Sequence, residues 1–145
     1  MRAVIQRVSS AAVSVGDEEI SRIGDGLLIL LGVGREDTKD HAERLAEKIA
    51  GLRIFEDSAG KLNLSVRETG GQALVVSQFT LLGDCRKGRR PDFTAAARGE
   101  EAEQLYEYFS TCLENASVPV KKGRFAALMD VSLVNHGPVT LIIDR

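Results

Sequence analysis

The chain has no tryptophan, two cysteines, two histidines and three prolines among 145 residues. Cys85 and Cys112 form no Cys-x-x-Cys pair and share no cluster with histidine, so neither a disulfide framework nor a metal centre is expected. The two imidazoles, His41 and His136, are the only ones a Ser-His-Asp triad could recruit. No apolar run approaches the roughly 20 residues that a membrane-spanning helix requires. The opening Met1-Arg2-Ala3-Val4-Ile5-Gln6-Arg7 puts Gln and Arg where a secretory signal keeps an unbroken apolar region, so a cytoplasmic protein is expected. A net charge of -2 argues against coating nucleic acid with the whole surface, and leaves a local basic patch open. Two familiar nucleotide motifs are also missing. Gly83-Asp84-Cys85-Arg86-Lys87-Gly88 is followed by Arg89-Arg90 in place of Lys-Ser/Thr, and Gly32-Val33-Gly34 is followed by Asp37 where a third glycine belongs.

What is present is 43% hydrophobic and 28% charged residues, in a length suited to one domain spanning 1–145. Strands are expected at Met1 to Val8, Ala12 to Val15, Glu19 to Ile23 and Leu27 to Leu31, with turn residues Gly16-Asp17 and Gly24-Asp25-Gly26 between them. Asp37 or Thr38 caps a first helix whose buried face is Ala42, Leu45, Ala46 and Ile49. Leu52 to Phe55 and Leu62 to Leu64 flank the turn cluster Asp57-Ser58-Ala59-Gly60 and read as a short hairpin or an irregular excursion rather than more helix. Gln72 to Thr80 reads as a strand, apolar on both faces at Ala73-Leu74-Val75-Val76. A second helix, Glu100 to Asn115, places Ala102, Leu105, Phe109, Cys112 and Leu113 on one face. Val118 to Lys122, Ala127 to Val134 and Val139 to Ile143 complete the strands. The expected fold is α+β: a strand-rich single domain with a curled, barrel-like sheet and two main helices.

Ser77-Gln78-Phe79-Thr80 gathers two hydroxyls, an amide and a ring where a buried strand ends. Such groups either satisfy the strand terminus or hold a ligand, with backbone amides polarising a carbonyl. Asn135-His136-Gly137-Pro138 reads as a turn between strands, in which the Gly-Pro bond is open to either isomer. His41 reads as a surface residue, His136 as a loop residue, Cys112 as core and Cys85 as an incidental loop thiol. Basic residues cluster at Arg86, Lys87, Arg89 and Arg90, and again at Lys121, Lys122 and Arg124. Either cluster can lie along an RNA backbone or be a solvated loop. Phe93, just past the first cluster, is available to pack that loop.

Taken in order, Val4-Ile5-Gln6-Arg7-Val8, Ser77-Gln78-Phe79-Thr80-Leu81, Arg86-Lys87-Gly88 with Arg90-Pro91, and Asn135 to Thr140 resemble the D-aminoacyl-tRNA deacylase family along the whole chain. The resemblance implies a homodimer that hydrolyses the ester of D-aminoacyl-tRNA, without cofactor or metal and without a membrane. Glycyl-tRNA is a possible further substrate. Gly137-Pro138 would be cis and inserted into the partner's site, its main chain rejecting L side chains by steric exclusion. Ser77, Gln78, Phe79 and Thr80 would surround the terminal adenosine and the ester, and Asn135 would belong to the selecting loop. Arg7 would brace that loop through backbone carbonyls, and Arg86, Lys87, Arg89 and Arg90 would be candidates for holding tRNA. No protein nucleophile is required, because the neighbouring 2'-hydroxyl can assist water. One departure is His136, where the family commonly has Asp.

Overall fold

The computed structural model describes residues Met1–Arg145. Its strands are β1 Arg2–Val15, β2 Glu18–Ile23, β3 Gly26–Gly32, β4 Phe55–Glu56, β5 Leu62–Leu64, β6 Gln72–Ser77, β7 Val120–Lys122 and β8 Asp130–Asp144, and its helices are α1 Lys39–Ala50 and α2 Gly99–Asn115. The main sheet runs β2-β1-β3-β6-β7, with β8 on the other edge of β1, and β4 pairs with β5 as a separate hairpin. β3–β6 and β6–β7 are parallel, so α1 and α2 lie in the connections that carry the chain back across the sheet.

The two faces of β3 and β6 bury different partners, which is why these strands are apolar throughout. Leu27, Ile29, Leu31, Ala73 and Val75 meet the helices in one core with Leu45, Ile49, Tyr106 and Phe109. Leu28, Leu74 and Val76 face the curled side with Val8, Val13 and Ile23. Each fully buried Leu or Ile there contributes roughly 1.5–3 kcal/mol. The curl is closed near β7: Ser21 Oγ donates to the Lys122 carbonyl at 2.9 Å, and Arg124 pairs with Glu18 at 3.1 Å.

The α+β expectation holds, with four local corrections. The two strands expected before Val15 are one long β1, because its pairing with β8 resumes at Ser10 and carries the strand past Ser9. The strand through Thr80 stops at Ser77, and Phe79–Leu82 is a 3-10 turn. The strands expected on either side of Asn135–Pro138 are a single β8, whose ladder to β1 absorbs the turn as an irregularity. On α2, Tyr106 is buried while Leu105 and Cys112 are only partly so, which rotates the buried face slightly from the expected stripe. Thr38 does cap α1, and its N–H donates to His41 Nδ1 at 3.2 Å, giving that surface histidine a local capping role.

Gly26 marks where β3 starts against β6. A Cβ there would sit 1.9 Å from the Gln72 carbonyl oxygen, whereas nothing lies within 4 Å of one at Gly24. Gly26→Ala is therefore expected to destabilise by about 3 kcal/mol or more and Gly24→Ala by less than about 1 kcal/mol, measured by urea unfolding.

Candidate functional site

β6 is hydrogen-bonded on both sides, so its last residue is held firmly. Gln78 N–H then donates to the Leu31 carbonyl at 2.8 Å before the chain turns. In the 3-10 turn the Leu81 amide reaches Gln78 O at 3.2 Å, and Gly83 N reaches Thr80 O at 3.0 Å. The opening amides of any such turn have no carbonyl behind them, and those of Phe79 and Thr80 donate to no backbone acceptor. The Gln78 side-chain amide donates to Thr80 Oγ1 and braces the turn.

Beside this turn lies a cavity of about 560 Å³ walled by Ser77, Gln78, Phe79, Tyr106, Phe125, Leu128 and Met129 among others, with no charged side chain in its lining. Tyr106 Oη donates to the Val75 carbonyl at 2.9 Å, which leaves the cavity wall apolar. Phe79 is 56% exposed and Leu128 94% exposed at the rim, an unusual outlay of apolar surface for an isolated chain. Of the expected Ser77 to Thr80, the first three line this cavity and Thr80 is exposed outside its lining; the Phe125–Met129 wall has no signal in the sequence, because only the curl of the sheet brings that segment over the end of β6.

The second segment is built around Arg7. In the β1–β8 ladder Val8 faces Asn135 and Gln6 faces Thr140, so His136 to Val139 bulge out opposite Arg7 alone. Arg7 is 5% exposed, and its Nε donates to the His136 carbonyl at 2.9 Å while Nη1 donates to the Ile54 carbonyl at 2.8 Å. Asn135 Nδ2 ties the base of the bulge to Val139 O at 3.3 Å and Thr140 Oγ1 at 3.2 Å. The Gly137–Pro138 peptide is cis, and Gly137 has φ +135. A Cβ on Gly137 would lie 2.8 Å from Val139 Cγ2 and 3.0 Å from Arg7 Nη2, so the cage admits only glycine without movement.

The two groups are not together within one chain. Arg7 is level with Leu27 and Ala73, whereas Ser77 is level with Leu31 and Ala3. At about 3.3 Å per residue the bulge lies roughly 13 Å from Ser77 along the strands alone, and further across them. His136 is exposed with the bulge, so no Ser77- or Thr80-based triad assembles in the chain. Cys112 lies against the helix core, where burial raises its thiol pKa, and Cys85 is in an exposed loop. No group of three His, Cys, Asp or Glu residues is placed to hold a metal ion.

Comparison with known proteins gives the family. The family model described as D-Tyr-tRNA(Tyr) deacylase matches residues 4–144. The chain belongs to this family. It is 61% identical over 144 residues to a D-aminoacyl-tRNA deacylase of Desulforudis audaxviator, covering 99% of this chain and 97% of that one. It is 57% identical to one of Brevibacillus brevis, covering 99% of each. Among solved structures, a c-Myc DNA Unwinding Element Binding Protein superposes with a TM-score of 0.95 at 44% identity, covering 100% of this chain and 99% of that one. A probable eukaryotic D-amino acid tRNA deacylase has a TM-score of 0.87 at 18% identity, covering 99% and 98%, which shows the shared fold.

Next to the Ser77–Thr80 segment stands the first basic cluster. Asp84 and Asp92 exchange main-chain hydrogen bonds of 2.7 and 2.9 Å, closing an exposed loop that carries Arg86, Lys87, Arg89 and Arg90. Phe93 packs its ring edge on Phe79 at 5.1 Å and 70°, so this loop is fastened to the cavity rim. Arg86 is spent on Asp84, with Nε 2.9 Å and Nη2 2.5 Å from its carboxylate, whereas Lys87, Arg89 and Arg90 carry no ion pair. In the second cluster Lys122 pairs with Glu107 and Arg124 with Glu18, which leaves only Lys121 free.

The Arg86 side chain, helped by its own amide, holds the Asp84 carboxyl down to about 2 from an ordinary 3.8. Because the folded pKa is lowered, the pair is intact above the ordinary value and is lost only as pH falls through about 2. The Asp84 carboxyl carbon, followed by NMR, is expected to titrate near that value in the parent. In Arg86→Ala the midpoint should rise towards the ordinary range.

Proposed function

We propose that the protein is a homodimeric deacylase that hydrolyses the ester joining a D-amino acid to the 3' end of tRNA, releasing free D-amino acid and tRNA. Family membership carries the reaction class. The separation of Ser77–Thr80 from Gly137–Pro138 within one chain carries the assembly: a site that needs both takes the second from a partner subunit. β8 supports this, since it pairs only with β1 and leaves a long free edge bearing exposed Val134 and Ile142. A second copy that covers this edge removes an otherwise aggregation-prone surface. The place of such an enzyme is with charged tRNA in the cytoplasm.

In this reading the terminal adenosine enters the uncharged cavity, where Phe79 and the Phe125–Met129 wall offer apolar surface to the base. The Phe79 and Thr80 amides point to the ester carbonyl, and stabilise the oxyanion that forms when water adds. The neighbouring 2'-hydroxyl assists the water, the tetrahedral intermediate collapses, and the ribose 3'-oxygen leaves with a proton. The protein positions and stabilises without forming an acyl-enzyme. The partner's Gly137–Pro138 main chain faces the α-carbon, so an L side chain meets fixed backbone. A D side chain points away, and glycine has nothing to exclude. Arg7 holds the loop in register through the His136 carbonyl. Lys87, Arg89 and Arg90 stand free at the rim to hold tRNA phosphates, with Arg86 organising the loop through Asp84.

Purified protein should release D-tyrosine from charged tRNA far faster than L-tyrosine; equal rates, or no release from any D-aminoacyl-tRNA, would sink the proposal. Thr80→Pro removes one main-chain donor and is expected to lower kcat about 10²-fold, whereas His136→Ala keeps most activity. Mixing Thr80→Pro with Gly137→Val chains in equal amounts tests the shared site. Half of the randomly paired dimers then carry one intact site in two, so about a quarter of parental activity should return.

A further inference from the structure

The side of Arg7 away from the bulge is occupied by the β4–β5 hairpin. Its guanidinium has donors fixed in one plane; Nη1 is taken by the Ile54 carbonyl at 2.8 Å, and Nη2 lies 3.8 Å from Glu56 Oε1. With Nη1 fixed by that hydrogen bond and the Glu56 charge beside Nη2, Nε donates to the His136 carbonyl at 2.9 Å, next to Gly137. The hairpin that presents these acceptors is itself braced. The Asp57 carboxylate accepts the Ala59 N–H at 2.8 Å, the Lys61 N–H at 3.1 Å and Asn63 Nδ2 at 3.1 Å, while Arg53 Nε donates to the Asn63 carbonyl at 2.7 Å. Phe55 packs against the helix-side core, which anchors the hairpin to the body of the protein. If the hairpin were only a cover for that core, it would not need to turn both a carbonyl and a carboxylate towards one buried arginine.

We infer that the β4–β5 hairpin is a positioning element for chiral selection, with Glu56 and the Ile54 carbonyl orienting Arg7 and Arg7 in turn placing the Gly137 main chain. The inference rests on the role proposed above for Gly137–Pro138. Glu56 touches no reacting atom. It is 58% exposed, so its charge acts on the tilt of Arg7 and contributes little to stability. A lysine at position 56 repels the guanidinium, and loss of the Asp57 carboxylate frees the turn that holds Glu56 and Ile54.

The test uses the full-length protein with Glu56→Lys, Asp57→Ala and the conservative Glu56→Asp, and Glu47→Lys on the exposed face of α1 as control. Two readouts are taken: the ratio of kcat/KM for D- over L-tyrosyl-tRNA, and the amide proton and nitrogen shifts of Gly137. Glu56→Lys and Asp57→Ala should each lower the ratio about tenfold and move the Gly137 amide, with Glu56→Asp restoring both and Glu47→Lys changing neither. A ratio within about twofold of the parent in both disruptive variants overturns the inference, whether or not the amide moves. An unmoved Gly137 amide overturns it as well. Absence of D-selective release in the parent instead removes the proposed activity, and the Gly137 shift then still reports whether the hairpin positions the loop.

Discussion

The bulge in β8 depends on one buried cation. A strand that leaves its ladder for the stretch His136 to Val139 gives up paired carbonyls, and a buried carbonyl without a donor costs about 1–3 kcal/mol. Arg7 supplies the donor from the facing strand, opposite the excursion. A lysine would deliver its protons from a single flexible nitrogen, whereas guanidinium spreads them over a plane and reaches Ile54 and His136 together. The excursion is thereby fastened at both a core-anchored hairpin and the central strand.

The same sheet explains why the turn after β6 is held firmly and why the cavity beside it is uncharged. β6 is buried on both faces and paired on both sides, so the turn after Ser77 starts from a fixed point. The curl that closes near β7 swings Phe125–Met129 over that point and makes an apolar chamber beside two free amides. In low dielectric such amides act on a developing negative charge more strongly than they would in water. The basic loop stays outside the chamber, linked to it by the Phe79–Phe93 contact.

The elements most readable in the sequence were those with a strong local signal. The Ala42, Leu45, Ala46, Ile49 spacing located α1, and the doubly apolar run at Ala73–Val76 located the buried strand. The end of β6 at Ser77 is not legible in the sequence, because a 3-10 turn and a strand end can carry the same short polar run. The continuity of β8 through Gly137–Pro138 is hidden for a different reason: Gly and Pro signal a turn locally, but a long facing strand can hold a bulge in a continuous ladder. Both basic clusters looked alike in sequence. Their difference arose from carboxylates distant along the chain, Glu107 and Glu18, which only folding brings to Lys122 and Arg124.

By itself the sequence determined a single α+β domain, two amphipathic helices, a polar strand-end segment and an ordered set of motifs that resemble one family. These follow from periodicity, turn chemistry and local order, which act between neighbours along the chain. Tertiary structure decided which acceptors Arg7 meets, which arginines remain unpaired and what walls the cavity. It also decided that Ser77–Thr80 and Gly137–Pro138 stand at different levels of the sheet. Those outcomes depend on strand register and on the curl of the sheet, where a shift of one residue would turn every side chain to the other face.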